Sequence, residues 1–88
     1  MPTHRYHVSG RVQGVGYRRA ACDTAVRLSV CGWVRNLPDG RVEVLASGSA
    51  EALSSFAAWL HQGPSLARVS AVVSFDCAEP ALAGFDIR

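Results

Sequence analysis

Gly10-Arg11-Val12-Gln13-Gly14-Val15-Gly16-Tyr17-Arg18 lies between a stretch that alternates like a strand and a stretch that repeats like a helix. Three glycines and two arginines fall within these nine residues. Glycine lets a backbone turn sharply and approach a ligand closely. Consecutive N–H groups in such a turn form an anion-binding concavity, and the helix that follows adds its positive end. An arginine at the far end can close a fork on a phosphate. The residues alone leave two readings open, a cradle for a phosphoryl group or a plain tight turn. Two nucleotide-binding patterns fail. Gly14-Val15-Gly16-Tyr17-Arg18-Arg19 lacks the third glycine of the dinucleotide fingerprint, and no Gly-Lys-Ser/Thr follows for a P-loop.

Upstream of the loop, Tyr6, Val8, Gly10 and Val12 share one parity and Arg5, His7, Ser9 and Arg11 the other, which predicts a half-buried strand. Downstream, Ala21, Ala25 and Leu28 recur at helical spacing, predicting a helix from Tyr17 to about Leu28. Strand character returns from about Cys31 to Leu37 and from Arg41 to Ala46. Pro38-Asp39-Gly40 between them signals a turn, so these strands form a hairpin. Ser49 reads as an N-cap, and Leu53, Phe56, Ala57 and Leu60 stripe the helix that follows. His61-Gln62-Gly63-Pro64 ends that helix. A fourth strand runs from about Arg68 to Cys77, with Val69, Ala71, Val73 and Phe75 on one face and Val72 opposed. Phe85 and Ile87 bracket Asp86 in a short final strand. The order βαββαβ plus a short strand predicts an α+β two-layer sandwich, an antiparallel-dominated sheet with both helices on one face.

With 88 residues the expectation is a single domain over residues 1–88. Hydrophobic residues make up 49%, enough for a two-layer core without metals or disulfides. A net charge of +2 is too small to make a nucleic-acid surface by itself, yet it favours a small anionic ligand. All nine basic residues are arginine, so any phosphate grip is a guanidinium grip and lysine-based covalent chemistry is excluded. Cys22, Cys31 and Cys77 fit neither a disulfide framework nor a zinc site, though a Cys22–Cys31 bond stays open at this stage. There is no signal-like apolar core and no membrane-spanning run, so a cytoplasmic location is expected, with no membrane partner.

A second group of residues is Gly32-Trp33-Val34-Arg35-Asn36, followed by Asp39-Gly40. Asn36 has the parity of Gly32 and Val34. Its amide offers an acceptor and two donors, which could hold a water against a phosphate or bond its own backbone as a turn cap.

Taken together, the two segments resemble the acylphosphatase family. Gly63-Pro64 with Ala67-Arg68-Val69, and Phe85-Asp86-Ile87-Arg88, add weaker matches, so the resemblance covers essentially the whole chain. It implies a ferredoxin-like fold. It implies that Arg18 is the catalytic arginine that binds phosphate and that Val12, Gln13, Gly14, Val15, Gly16 and Tyr17 supply backbone donors. It further implies that Asn36 orients the attacking water. The implied reaction is hydrolysis of the carboxyl–phosphate bond of an acyl phosphate to a carboxylate and inorganic phosphate. A carboxylate leaves readily and a loose phosphoryl-transfer transition state asks mainly for positioning and charge stabilisation, so neither cofactor nor metal is expected. Leu28-Ser29-Val30-Cys31 departs from the family's usual Leu-Gly-Leu. A left-handed Ser29 would cost roughly 1 kcal/mol. Ser65 stands where a second proline is common.

His4, His7 and His61 read as surface histidines, with no evident carboxylate partner for His7. Trp33 and Trp59 read as packing residues, and Arg11, Arg19 and Arg35 as solvated charges near the site. An RNA-recognition module shares the element order but needs stacking aromatics on the third strand, and Arg41-Val42-Glu43-Val44-Leu45-Ala46 has none, so no nucleic-acid partner is expected. Similar domains also open a large hydrogenase-maturation protein. A chain ending at Arg88 without zinc-ligand clusters favours a stand-alone enzyme, and a monomer acting on a small-molecule acyl phosphate is expected.

Overall fold

A computed structural model describes residues 1–78 and 83–88. The elements are β1 (Thr3–Arg11), α1 (Tyr17–Arg27), β2 (Cys31–Asn36), β3 (Val42–Ser47), α2 (Ala50–Gln62), β4 (Arg68–Asp76) and β5 (Phe85–Ile87). The strands form a five-stranded sheet in the order β4-β1-β3-β2-β5. β1 pairs antiparallel with β3 and β4, and β2 antiparallel with β3. β5 lies parallel to β2. This is the ferredoxin-like arrangement that the element order predicts.

The alternation in β1 decides which face is covered. Tyr6, Val8 and Val12 join Val34, Val42 and Val44 in a core with Tyr17, Ala21 and Ala25 of α1 and Leu53, Phe56 and Leu60 of α2. Burying one side chain of this kind stabilises by about 1.5–3 kcal/mol. α1 lies over β2 and β5, and α2 over β4. Ser49 caps α2 as expected, its Oγ accepting from the N–H of Ala52 at 3.0 Å. α2 stops at Gly63, whose N–H donates to the Trp59 carbonyl.

In β4 the expected register breaks. Ser9 pairs with Ala71 but Gly10 with Val69, so Ser70 is an extra residue in the ladder. The bulge shifts the alternation by one residue. Val69 and Val72 therefore both pack on the core, and Val69 lies on the opposite face from Ala71, Val73 and Phe75. After α1, Ser29 adopts φ 59, the left-handed conformation that a glycine would take without strain.

The uncovered face is closed by its own side chains. Glu43, on the polar parity of β3, is only 4% exposed. Its Oε2 accepts from His7 Nε2 at 2.8 Å and lies 3.4 Å from Arg5, while Oε1 accepts from Arg35 Nε at 2.7 Å. His7 and Arg35 thus have the carboxylate partner that the sequence does not suggest. Desolvation pushes the Glu43 carboxyl up, but the His7 and Arg35 hydrogen bonds and the charges of Arg35 and Arg5 outweigh it. The net result lies below the ordinary value. Trp33 is likewise buried without a helix above it. The guanidinium groups of Arg35 and Arg88 lie 5.1 and 5.0 Å from its ring centre.

Candidate active site

The antiparallel ladder between β1 and β3 ends at Val8–Val42, and β1 then runs on into the glycine loop. Gly14 and Gly16 have φ 73 and 79. A Cβ added at either would meet nothing within 4 Å. Backbone conformation, not crowding, therefore requires glycine there, and the space before the loop is open. Among the described residues the N–H groups of Gly14, Val15 and Gly16 donate to no partner. Gly16 is also the N-cap of α1 and has no side-chain cap bond. The first-turn N–H groups of α1 thus carry the helix's positive end with no side chain to cap it.

Tyr17 and Arg18 turn in opposite directions from this helix start. Tyr17 is buried, and its hydroxyl donates to the Leu60 carbonyl at 2.8 Å, tying the start of α1 to the end of α2. Burial pushes its phenol pKa up, so it stays a neutral donor. Arg18 is half-buried, and its one recorded bond is a long one from NH1 to the Arg88 carbonyl, 3.4 Å. Its other donors have no partner among the described residues.

Asn36 is the last residue of β2, paired with Val42 across the hairpin. Its Oδ1 is buried and has no hydrogen-bond partner. The turn is capped instead by Asp39, whose Oδ1 accepts from the Arg41 N–H at 3.0 Å. This hydrogen bond is the largest influence that lowers the Asp39 pKa.

These stretches meet at one cavity of about 200 Å³, walled by Val12, Gly14, Gly16, Tyr17, Arg18, Arg19, Asn36 and Ile87. Among the described residues no carboxylate side chain is in that wall. The structure therefore brings together Arg18, Asn36 and four of the six expected loop residues. Val15 instead packs against the core, and the Gln13 side chain donates from Nε2 to the carbonyls of Leu37 and Arg41 at 2.8 and 2.9 Å. Arg19 is a wall residue whose Nε lies 3.7 Å from Asp23 in an exposed pair.

Two contributors were not singled out from sequence, Ile87 and the Arg88 carbonyl. The parallel pairing of β5 sets Ile87 beside Val34 and so at the cavity. The alternation of Phe85, Asp86 and Ile87 was the available signal for Ile87. A larger groove of about 410 Å³ lies near the start of β1, lined by His4, Tyr6, Leu53 and Ala57 among others. Among the described residues it contains no arginine and no glycine-loop N–H. Cys22, Cys31 and Cys77 are free thiols. No three His, Cys, Asp or Glu side chains gather in a metal-holding group among the described residues. Among the described residues no helix is long and apolar enough to cross a membrane.

The model of the acylphosphatase family matches residues 4–87. An acylphosphatase of Halorhodospira halophila is 51% identical over 83 residues, covering 94% of this chain and 90% of that protein. The solved acylphosphatase of Bacillus subtilis superposes with a TM-score of 0.96 at 36% identity, covering 100% of this chain and 99% of that one. The fold also matches T. kodakarensis HypF with a TM-score of 0.84 at 31% identity, but there it covers 12% of the larger chain. With the cavity, the loop and this near-complete correspondence, the chain belongs to the acylphosphatase family, enzymes that hydrolyse acyl phosphates.

Proposed function

We propose that Arg18 and the backbone N–H groups from Val12 to Tyr17 hold the phosphoryl group of a small acyl phosphate while Asn36 orients the attacking water. One observation supports this most. Asn36, whose side-chain oxygen is buried and has no partner among the described residues, lines the same 200 Å³ cavity as an arginine with unpaired donors. A buried polar atom without a partner costs about 1–3 kcal/mol, and a bound water removes that cost.

In this reading the loop N–H groups and the guanidinium spread over the phosphoryl oxygens. Asn36 Oδ1 accepts a hydrogen bond from water and sets its lone pair toward phosphorus. The new P–O bond forms as the bond from phosphorus to the acyl oxygen breaks. The carboxylate leaves with that electron pair, and the water's proton passes to phosphate or solvent. Charge stabilisation and positioning carry such a loose transfer, and both come from groups preorganised by the fold. The working form in this reading is one cytoplasmic domain over residues 1–88 acting as a monomer.

Release of phosphate from benzoyl phosphate by the purified protein tests the reading. Hydrolysis is expected with benzoyl phosphate and not with a phosphate ester, and inorganic phosphate should inhibit competitively. Noncompetitive inhibition by phosphate would place the anion site elsewhere.

A further inference from the structure

We propose that the Gln13 side chain is a positioning residue that clamps the glycine loop to the β2–β3 hairpin and thereby fixes Asn36 against the bound phosphoryl group. The inference rests on the reading above that Asn36 orients water. Beyond Val8–Val42 no ladder pair joins β1 to β3, so the loop and the hairpin turn leave the sheet separately. Gln13 crosses the gap. A primary amide nitrogen has two N–H donors, and here both are used, one to the Leu37 carbonyl at 2.8 Å and one to the Arg41 carbonyl at 2.9 Å.

Those two carbonyls already take one bond each inside the hairpin. The Leu37 N–H donates to the Arg41 carbonyl at 2.8 Å, and the Gly40 N–H to the Leu37 carbonyl at 3.2 Å. Gln13 gives each of them a second hydrogen bond, so one side chain with two donors serves both carbonyls at once. Leu37 follows Asn36 directly, and Gln13 precedes Gly14, so the clamp joins the immediate chain neighbours of two cavity walls. Gln13 itself is not in the wall. Its carboxamide has no place on the substrate and acts through Asn36.

The test is a double-mutant cycle of Gln13→Met and Asn36→Ala, reading kcat, phosphate Kd and melting temperature. Methionine keeps the length of the side chain and removes both donors. Gln13→Met should lower kcat about 10-fold and change phosphate Kd less than about 2-fold, because a small misplacement of a reacting group can cost up to about 10²-fold. In the Asn36→Ala background the same change should leave kcat unaltered. Equal losses in the two backgrounds, or an unchanged kcat in the single variant, overturn the clamp while leaving the role of Asn36 standing. Normal turnover of Asn36→Ala alone overturns the reading of Asn36 and the clamp with it. Gln13→Glu supplies a second readout that a purely structural residue would not move. Its ionised carboxylate has no donor, whereas the protonated acid regains one. Its kcat relative to wild type should therefore rise as pH falls below about 5. A flat ratio counts against the donor role.

Discussion

Asn36 Oδ1 and the Glu43 carboxylate are both buried oxygens on adjacent strands, and the fold treats them in opposite ways. Glu43 is met by His7, Arg5 and Arg35, drawn from two neighbouring strands. The Asn36 oxygen is met by nothing among the described residues, and Asn36 lines the cavity. A fully partnered buried charge belongs to the structure, because its partners complete it. A buried amide left incomplete is completed only by something that arrives. The difference separates a group that holds the sheet from one proposed to act on a ligand.

The contrast breaks first if the cavity is not the site. Arg18→Ala should lower kcat/KM by about 10³-fold or more, since a phosphate-gripping guanidinium contributes on that scale. Phosphate binding should weaken with it, and melting temperature should hardly move, because the bond lost to Arg88 is long. Arg18→Lys should recover little, as an ammonium does not reproduce the planar fork. Asn36→Ala should lower kcat by about 10²–10³, the usual loss for one preorganised group. It should leave phosphate Kd within about 2-fold and the melting temperature unchanged or higher, because it removes a costly orphan oxygen. A stability loss of about 1 kcal/mol with normal turnover would move Asn36 to the structural side.

Glu43→Gln should do the reverse, costing about 2 kcal/mol at neutral pH by loss of charge-assisted bonds, with kcat little changed. Denaturant titration and the assay together check it. The same carboxyl sharpens the contrast through pH. Its folded pKa lies below the unfolded one, so its contribution is present above about pH 4.5 and is lost as pH falls through the folded value. Between about pH 5 and about pH 3 the wild type should lose stability more steeply than Glu43→Gln. Equal slopes would remove Glu43 as the source. The smallest expected effect is a gain. Ser29→Gly relieves a left-handed serine and should stabilise by about 1 kcal/mol without changing kcat.

The sheet and both helices were legible because each carries its own period, two in β1 and about 3.6 in α2. The ends of the helices were legible from Ser49 and Gly63, which act through local bonds. Most of the residues that line the cavity were legible because the glycine loop is continuous in sequence and its glycines and Arg18 together read as an anion cradle. Glu43 was not. Alternation sends it outward on β3, and nothing local tells that Arg5, 38 residues away, and His7 will close over it. The bulge at Ser70 was also hidden, since it records how β4 fits β1 rather than any preference of its own residues. Ile87 reaches the cavity by parallel pairing with a strand far back in the chain, which spacing alone does not encode.

The central place of β1 has a consequence for how the molecule comes into being. This strand leaves the ribosome before either partner, yet it is hydrogen-bonded on both edges, with Val8 facing Val42 on one side and Val72 on the other. Loops of that length must close before their contacts reward closure, which slows folding relative to a helical bundle of equal size. Until β4 has been synthesised, β1 offers an open edge that carries Tyr6 and Val8 to any neighbouring chain. β5, the described strand farthest along the chain from β1, carries Ile87, one wall of the cavity. The pocket is therefore walled completely only once β5 has paired with β2, whatever the order in which the rest of the core collapses.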